Sequence, residues 1–182
     1  MKLFFLVANL TICLSNLSAQ SVKVISKESV INFNYLSEET KGSFSNVTAV
    51  VDLNLENLST STIFGEADVV TISTGNGARD KHLKSKTYFN ASAFPKITFK
   101  SKAIVKVEDH YEAAGTVSIK GFSKPVTFKM EIIGETIVLK TSVYADDFGV
   151  AIKKGRELSL VELEIVLPIN YFAHCFISDK RL

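Results

Sequence analysis

Tyr111-Glu112-Ala113-Ala114-Gly115-Thr116-Val117-Ser118-Ile119 carries small or apolar residues at every odd position and, Ala114 apart, polar ones between them. Such period-two patterning predicts a strand whose two faces meet different surroundings. The pattern extends both ways. Towards the C-terminus, Val126, Phe128, Met130 and Ile132 oppose Lys129 and Glu131. Ile137, Leu139, Thr141, Val143 and Ala145 oppose Lys140, and Val161, Leu163, Ile165, Leu167 and Ile169 oppose Glu162 and Glu164. Towards the N-terminus, Ile97, Phe99, Ser101, Ala103, Val105 and Val107 oppose Lys100, Lys102 and Lys106. Ile63, Gly65, Ala67, Val69 and Thr71 oppose Glu66 and Asp68. Val47, Ala49, Val51, Leu53 and Leu55 oppose Thr48, Asp52 and Asn54, and Ile31, Phe33 and Tyr35 oppose Asn32 and Asn34. That makes eight strands, with room for a short further one over Val22 to Ile25.

Most connections are hairpin-sized: Glu108-Asp109, Gly121 to Lys124 and Gly134-Glu135. Neighbouring strands should therefore pair antiparallel. The exception is Gly75 to Pro95, between the third and fourth strands, where Ala78 to Leu83 predicts a short helical connection. The chain has 182 residues, 46% hydrophobic and 22% charged. That excludes a disordered chain and suits one cored domain. Its net charge of +2 is no footprint for nucleic acid. A flat sheet of eight one-sided strands would leave its apolar face wet. The expected architecture is an all-β, single antiparallel eight-stranded barrel.

The inward positions contain no charged residue. Phe33, Tyr35, Phe99, Tyr111 and Phe128 give the wall aromatic surface. Val51, Val69, Val117, Met130, Leu139, Val143, Leu163 and Ile165 fill it out with aliphatic surface. Gly65, Ala67, Ala103, Ala113 and Gly115 are small. An eight-stranded barrel is wide enough to be filled by its own side chains or to hold one small ligand. Small inward residues fit a ligand lumen, and they fit equally a core in which each faces a bulky neighbour.

Residues 1–19 have the layout of a cleavable secretory leader. Lys2 is the positive start, Leu3 to Leu14 the apolar run, and Leu17-Ser18-Ala19 the small-residue cut site. The run is shorter than the roughly 20 residues that span a bilayer. This predicts a periplasmic or secreted protein with one domain over 20–182 and no stable transmembrane segment. Past the leader Cys175 stands alone, so no internal disulfide is expected. The sequence leaves room for a homodimer.

Arg79, His82 and Lys86 would share a helix face by i, i+3 and i+7 spacing, where they could meet an anionic head group. The favoured alternative is that Arg79, Asp80 and His82 pin the connection to the barrel. His82, His110 and His174 lack metal-ligand spacing, so no metal is expected. His174-Cys175 and Asp146-Asp147 are adjacent in extended chain and point apart, which argues against a catalytic pair. No cofactor is expected beyond a bound lipid.

Several linked stretches resemble the YceI-like polyisoprenoid-binding family. They are Arg79-Asp80-Lys81-His82-Leu83 with Ser85 and Tyr88, then Phe94-Pro95-Lys96-Ile97-Thr98-Phe99. Gly115-Thr116-Val117-Ser118-Ile119-Lys120-Gly121-Phe122-Ser123-Lys124-Pro125-Val126 and Asp147-Phe148-Gly149-Val150 complete the set. Tyr35-Leu36 stands where members often carry a His. The resemblance implies a lipocalin-like barrel, exported, that encloses an isoprenoid lipid without catalysis. The chain would be a polyprenyl, a prenyl diphosphate or a quinone. The competing expectation is a filled-core envelope interaction module without ligand.

Overall fold

A computed structural model describes residues 20–25, 29–153 and 155–168. The leader, His174 and Cys175 lie outside the described residues, as does Ile169. One antiparallel sheet organises the molecule. Its strands are β1 (Gln20–Ile25), β2 (Val30–Tyr35), β3 (Thr40–Phe44), β4 (Val47–Leu53), β5 (Thr62–Asp68), β6 (Lys96–Val107), β7 (His110–Ile119), β8 (Phe122–Ile133), β9 (Thr136–Tyr144) and β10 (Leu160–Pro168). The order is β1-β4-β5-β6-β7-β8-β9-β10-β2-β3. One helix, α1 (Gly77–Leu83), lies between β5 and β6.

Among the described residues the sheet therefore has ten strands, not eight. The additions are β1 and β3, and the second had no warning in the alternation. Thr40-Lys41-Gly42-Ser43-Phe44 buries only its two ends. Its middle is Gly42, where a Cβ would lie 2.3 Å from the Phe33 ring. The expected closed barrel is also corrected: β1 and β3 form the two edges and do not pair with each other. The sheet curls until β3 meets the chain leaving β5. There the Ser43 amide donates to the Ser73 carbonyl at 2.8 Å, and the Ser73 amide returns the bond at 2.9 Å. Thr71 Oγ1 adds a bond to the Ser45 carbonyl at 2.7 Å.

The concave face holds the core. Phe128, Met130, Ile137, Leu139 and Val117 lie on it, all nearly inaccessible, and each such burial contributes about 1.5–3 kcal/mol. The β7–β8 connection tightens to Lys120-Gly121, both at positive φ (50° and 82°), the two-residue turn that matches strand twist. Lys120 Nζ donates to the carbonyls of Thr87 (3.1 Å) and Gly149 (2.7 Å). It thereby ties together two of the segments at the β7–β8 end of the sheet.

β6 breaks the expected alternation. Its register to β7 shifts between Ser101 and Ala103. One extra residue in a strand moves everything beyond it to the opposite face. Ile104 is consequently buried at 3%, Val105 is 48% exposed, and Ala103 faces out. Ile104→Ala should cost about 2–4 kcal/mol in urea unfolding, whereas Val105→Ala should stay within about 0.5 kcal/mol. The reverse ranking would place the bulge elsewhere.

Candidate functional site

The core of the curled sheet is not filled. It surrounds a cavity of about 140 Å³. β2 contributes Ile31, Phe33 and Tyr35, β5 contributes Ile63, Gly65 and Ala67, and β6 contributes Ile97 and Phe99. Leu139, Val143, Leu163 and Ile165 close the far wall. Glu66 borders the cavity too, but its carboxylate turns to Lys96 at 3.0 Å. Arg79 is then the one charged side chain among the described residues left beside the lining. An apolar cavity of this size stays dry. At about 24 cal/mol per Å³, leaving it empty costs roughly 3 kcal/mol, a large fraction of a domain's net stability.

Eleven residues read from the sequence as lumen-facing line this cavity: Phe33, Tyr35, Gly65, Ala67, Phe99, Val117, Phe128, Leu139, Val143, Leu163 and Ile165. Seven stand elsewhere. Val51, Ala113 and Met130 are fully buried in core away from it. Tyr111 packs half-buried against that core. Val69 is buried in the short turn Val69–Thr71 beyond β5, and Ala103 lies past the bulge. Gly115 faces the Phe99 ring, with space for no more: a Cβ there would sit 2.4 Å from the Lys100 carbonyl and 2.6 Å from that ring. At Gly65 a Cβ would meet only the Thr48 carbonyl, at 3.8 Å.

The candidate cationic face of Arg79, His82 and Lys86 does not assemble. α1 ends at Leu83, so Lys86 is outside it. His82 is exposed and packs edge-on to Tyr88, ring centroids 4.9 Å apart. The helix instead turns Arg79 and Leu83 to the cavity, four residues apart on one face. Asn76 caps it, its Oδ1 accepting from the amides of Ala78 and Arg79 at 3.1 Å. Arg79 pins the connection to β3 through Thr74 and Thr40. Contributions from outside the strand pattern were not anticipated: Leu83, Phe89, Phe148, Val150 and Ile152 all reach the cavity. Phe44 and Phe89 meet edge-to-face there at 5.8 Å. For Leu83 and Phe89 the available signal was apolar residues in the otherwise polar Gly75–Pro95 connection; for Phe148, Val150 and Ile152 it was the apolar alternation after β9. Among the described residues, no three His, Cys, Asp or Glu side chains gather as metal ligands, and no helix is long and apolar enough to cross a membrane.

A model for the YceI-like domain matches residues 22–172. The chain belongs to the YceI-like family. Curated relatives include the UPF0312 protein of Yersinia pestis (strain Pestoides F), 35% identical over 65 residues. One from Photorhabdus laumondii is 36% identical over 67 residues. The matches cover 36% and 37% of this chain and 34% and 35% of the relatives. The chain thus spans about a third of the length of the curated relatives it matches. Among solved structures, Burkholderia cenocepacia BcnA superposes with a TM-score of 0.68 at 20% identity, covering 76% of this chain and 94% of BcnA. A domain from Saccharophagus degradans, described as polyisoprenoid-binding, gives 0.57 at 12% identity, covering 81% and 97%. At these identities the likeness is one of fold.

Two predictions follow from the site. Gly65→Leu should fill the cavity, raise stability by about 0.5–2 kcal/mol and abolish uptake of an apolar ligand; Gly115→Ala should destabilise. Unimpaired uptake by Gly65→Leu would move the ligand elsewhere. The second concerns the β5–β6 junction, where Lys96 Nζ pairs with Asp68 at 2.6 Å and Glu66 at 3.0 Å. The hydrogen bond from Lys96 holds the Asp68 carboxyl below the usual carboxylate range; desolvation opposes it and Asn46 assists. The folded state therefore binds that proton more weakly than the unfolded chain does. The stabilisation is complete above the unfolded value and is lost as pH falls through the folded one. Asp68→Asn should flatten the acid limb of the urea midpoint measured between about pH 7 and about pH 3. An unchanged limb would show the pair contributes nothing.

Proposed function

We propose that this chain is an exported protein that holds an isoprenoid lipid in the cavity of its curled sheet and acts by sequestering or carrying it, without catalysis. The observation that supports this most directly is the cavity itself. A void that costs roughly 3 kcal/mol and is walled almost wholly by aliphatic and aromatic side chains suits a flexible apolar occupant. The family and the polyisoprenoid-binding description of the Saccharophagus domain point to the same class. Export rests on the leader pattern in residues 1–19.

The energetics suffice without any special polar contact. Each buried CH₂ contributes about 0.8 kcal/mol. Ten such groups give roughly 8 kcal/mol, the scale of a micromolar Kd, before the cost of ordering the chain is subtracted. A chain longer than the cavity must move lining side chains. Ile31, Phe33, Phe89, Ile97, Leu163 and Ile165 are partly buried lining residues that could give way.

The test is mass spectrometry on protein isolated from its native envelope, intact and after solvent extraction. A stoichiometric isoprenoid is expected, with a rise in unfolding temperature when it is added back. Protein that arrives empty and takes up no prenyl lipid would overturn the proposal in favour of a ligand-free interaction module.

A further inference from the structure

The end of the sheet where β7 turns into β8 leaves large apolar side chains in solvent. Phe94 is 36% exposed, Phe122 48% and Val70 57%. Single apolar residues on a surface need no explanation, but a contiguous group marks a contact surface. These three are gathered by the backbone. The Phe94 ring lies against Gly121, where a Cβ would stand 3.0 Å from it, and the Phe122 ring lies against Gly149, at 3.3 Å by the same measure. The two rings therefore flank one tight turn. The Val69 amide donates to the Pro95 carbonyl at 2.9 Å, which sets Val70 beside the Phe94–Pro95 segment.

The chain around the two rings is cationic. From Lys81 to Val107 the sequence holds seven lysines and no Asp or Glu; from Ala113 to Met130 it holds three lysines and again neither acid. Lys84 and Lys86 precede Phe94, and Lys120 and Lys124 stand either side of Phe122. Lys120 Nζ is bound only to carbonyls, those of Thr87 and Gly149, so the turn itself carries a cation. Among the described residues, none of these four lysines has a carboxylate within ion-pair distance. Asp68 and Glu66, on the strand before Val70, are held by Lys96 at 2.6 and 3.0 Å. Of the acidic pair before Gly149, Asp147 is held by Arg156 at 2.9 Å, which leaves Asp146. The opposite end of the sheet has the other sign. Ile132 and Ile133 are exposed there, but they follow Glu131, and the two turns at that end carry Glu108, Asp109 and Glu135.

We propose that Phe94, Phe122 and Val70 dock this end of the molecule on an anionic lipid surface, with Lys84, Lys86, Lys120 and Lys124 facing the lipid phosphates. Exposed apolar groups ringed by lysines supply the two terms that hold a protein on a bilayer: apolar area to bury and attraction to acidic head groups. The three side chains project from separate segments and line no part of the cavity, so they suit a fluid layer that moulds to them better than a rigid partner. The docking face borders Thr87 and Gly149, and the segments that begin there deliver Phe89 and Val150 to the cavity. Docking thus sets the cover of the cavity against the bilayer. The inference concerns the outside of the molecule and holds whether or not the cavity is occupied.

The chain contains no Trp, so one introduced indole reports its own surroundings. Phe122→Trp and Ile133→Trp are to be titrated with vesicles of phosphatidylglycerol and phosphatidylcholine in equal parts, and with phosphatidylcholine alone. The emission of Phe122→Trp should shift to the blue with the mixed vesicles, and that of Ile133→Trp should not move. In flotation of the purified protein, partition onto mixed vesicles should exceed that onto phosphatidylcholine by about tenfold or more and fall as salt is raised. Phe94→Ser with Phe122→Ser should abolish it. Lys84→Gln with Lys86→Gln, which touches no packed side chain, should lower it by about tenfold and serves if the serine variant fails to fold. Equal shifts from the two indoles, or partition indifferent to head-group charge, would overturn the docking face. So would no partition at all: a dimer split by Phe122→Ser would then assign the patch to a second copy, and a monomer would assign it to an acidic protein surface. Protein that carries a prenyl lipid yet ignores vesicles would keep the lipid proposal and lose this one.

Discussion

The interior of this molecule depends on how one end of a long sheet is fastened to the chain leaving β5. Ten strands in a single antiparallel sheet curl their apolar face inward, and the curl ends at a seam, not in a continuous ladder. The seam is narrow: the reciprocal Ser43–Ser73 pair, the Thr71 hydroxyl and the Arg79 guanidinium. β3 lies along it and turns directly into β4 through Ser45 and Asn46. The short strand with the weakest pattern in the sequence is thus the one that brings the curl to its end. An open edge of that length would otherwise expose unpaired backbone groups, and the chain leaving β5 covers it.

The alternation made most of the sheet legible. Every strand from β4 to β10 was visible because each has one wet and one dry face, and hairpin-sized connections fixed the antiparallel pairing of β6 with β7, β7 with β8 and β8 with β9. Two features were not visible. β3 hides because Gly42 must leave room for the Phe33 ring, so the residue that makes the strand possible also erases its periodicity. The bulge at Lys102 hides because Ala103-Ile104-Val105 is apolar throughout, and either phase of the pattern fits it.

The site was harder to read than the fold, for a physical reason. Gly65 and Gly115 look alike in sequence, both small, inward-phased and mid-strand. One borders the void, and the other is small because Phe99 lies against it. Which of these applies depends on the neighbour across the sheet, not on the residue itself. The same holds for the helix. Spacing put Arg79, His82 and Lys86 together, yet Leu83 is what the core draws inward from α1, and its burial sets the rotation of the helix. Arg79 reaches the cavity as Leu83's neighbour one turn away, and His82 is carried outward by the same rotation.

The ammonium of Lys120 holds the carbonyls of both Thr87 and Gly149. One belongs to the segment after α1, the other to the segment after β9, and these segments deliver Phe89 and Val150 to the cavity. Neither can lift away alone without breaking a bond to a charged donor. The two behave as a single cover fastened by one rivet. Beside them, the segment carrying Ile152 is tied twice, by its amide to the Tyr35 hydroxyl at 3.3 Å and by the neighbouring Lys153 to Glu38 at 2.5 Å.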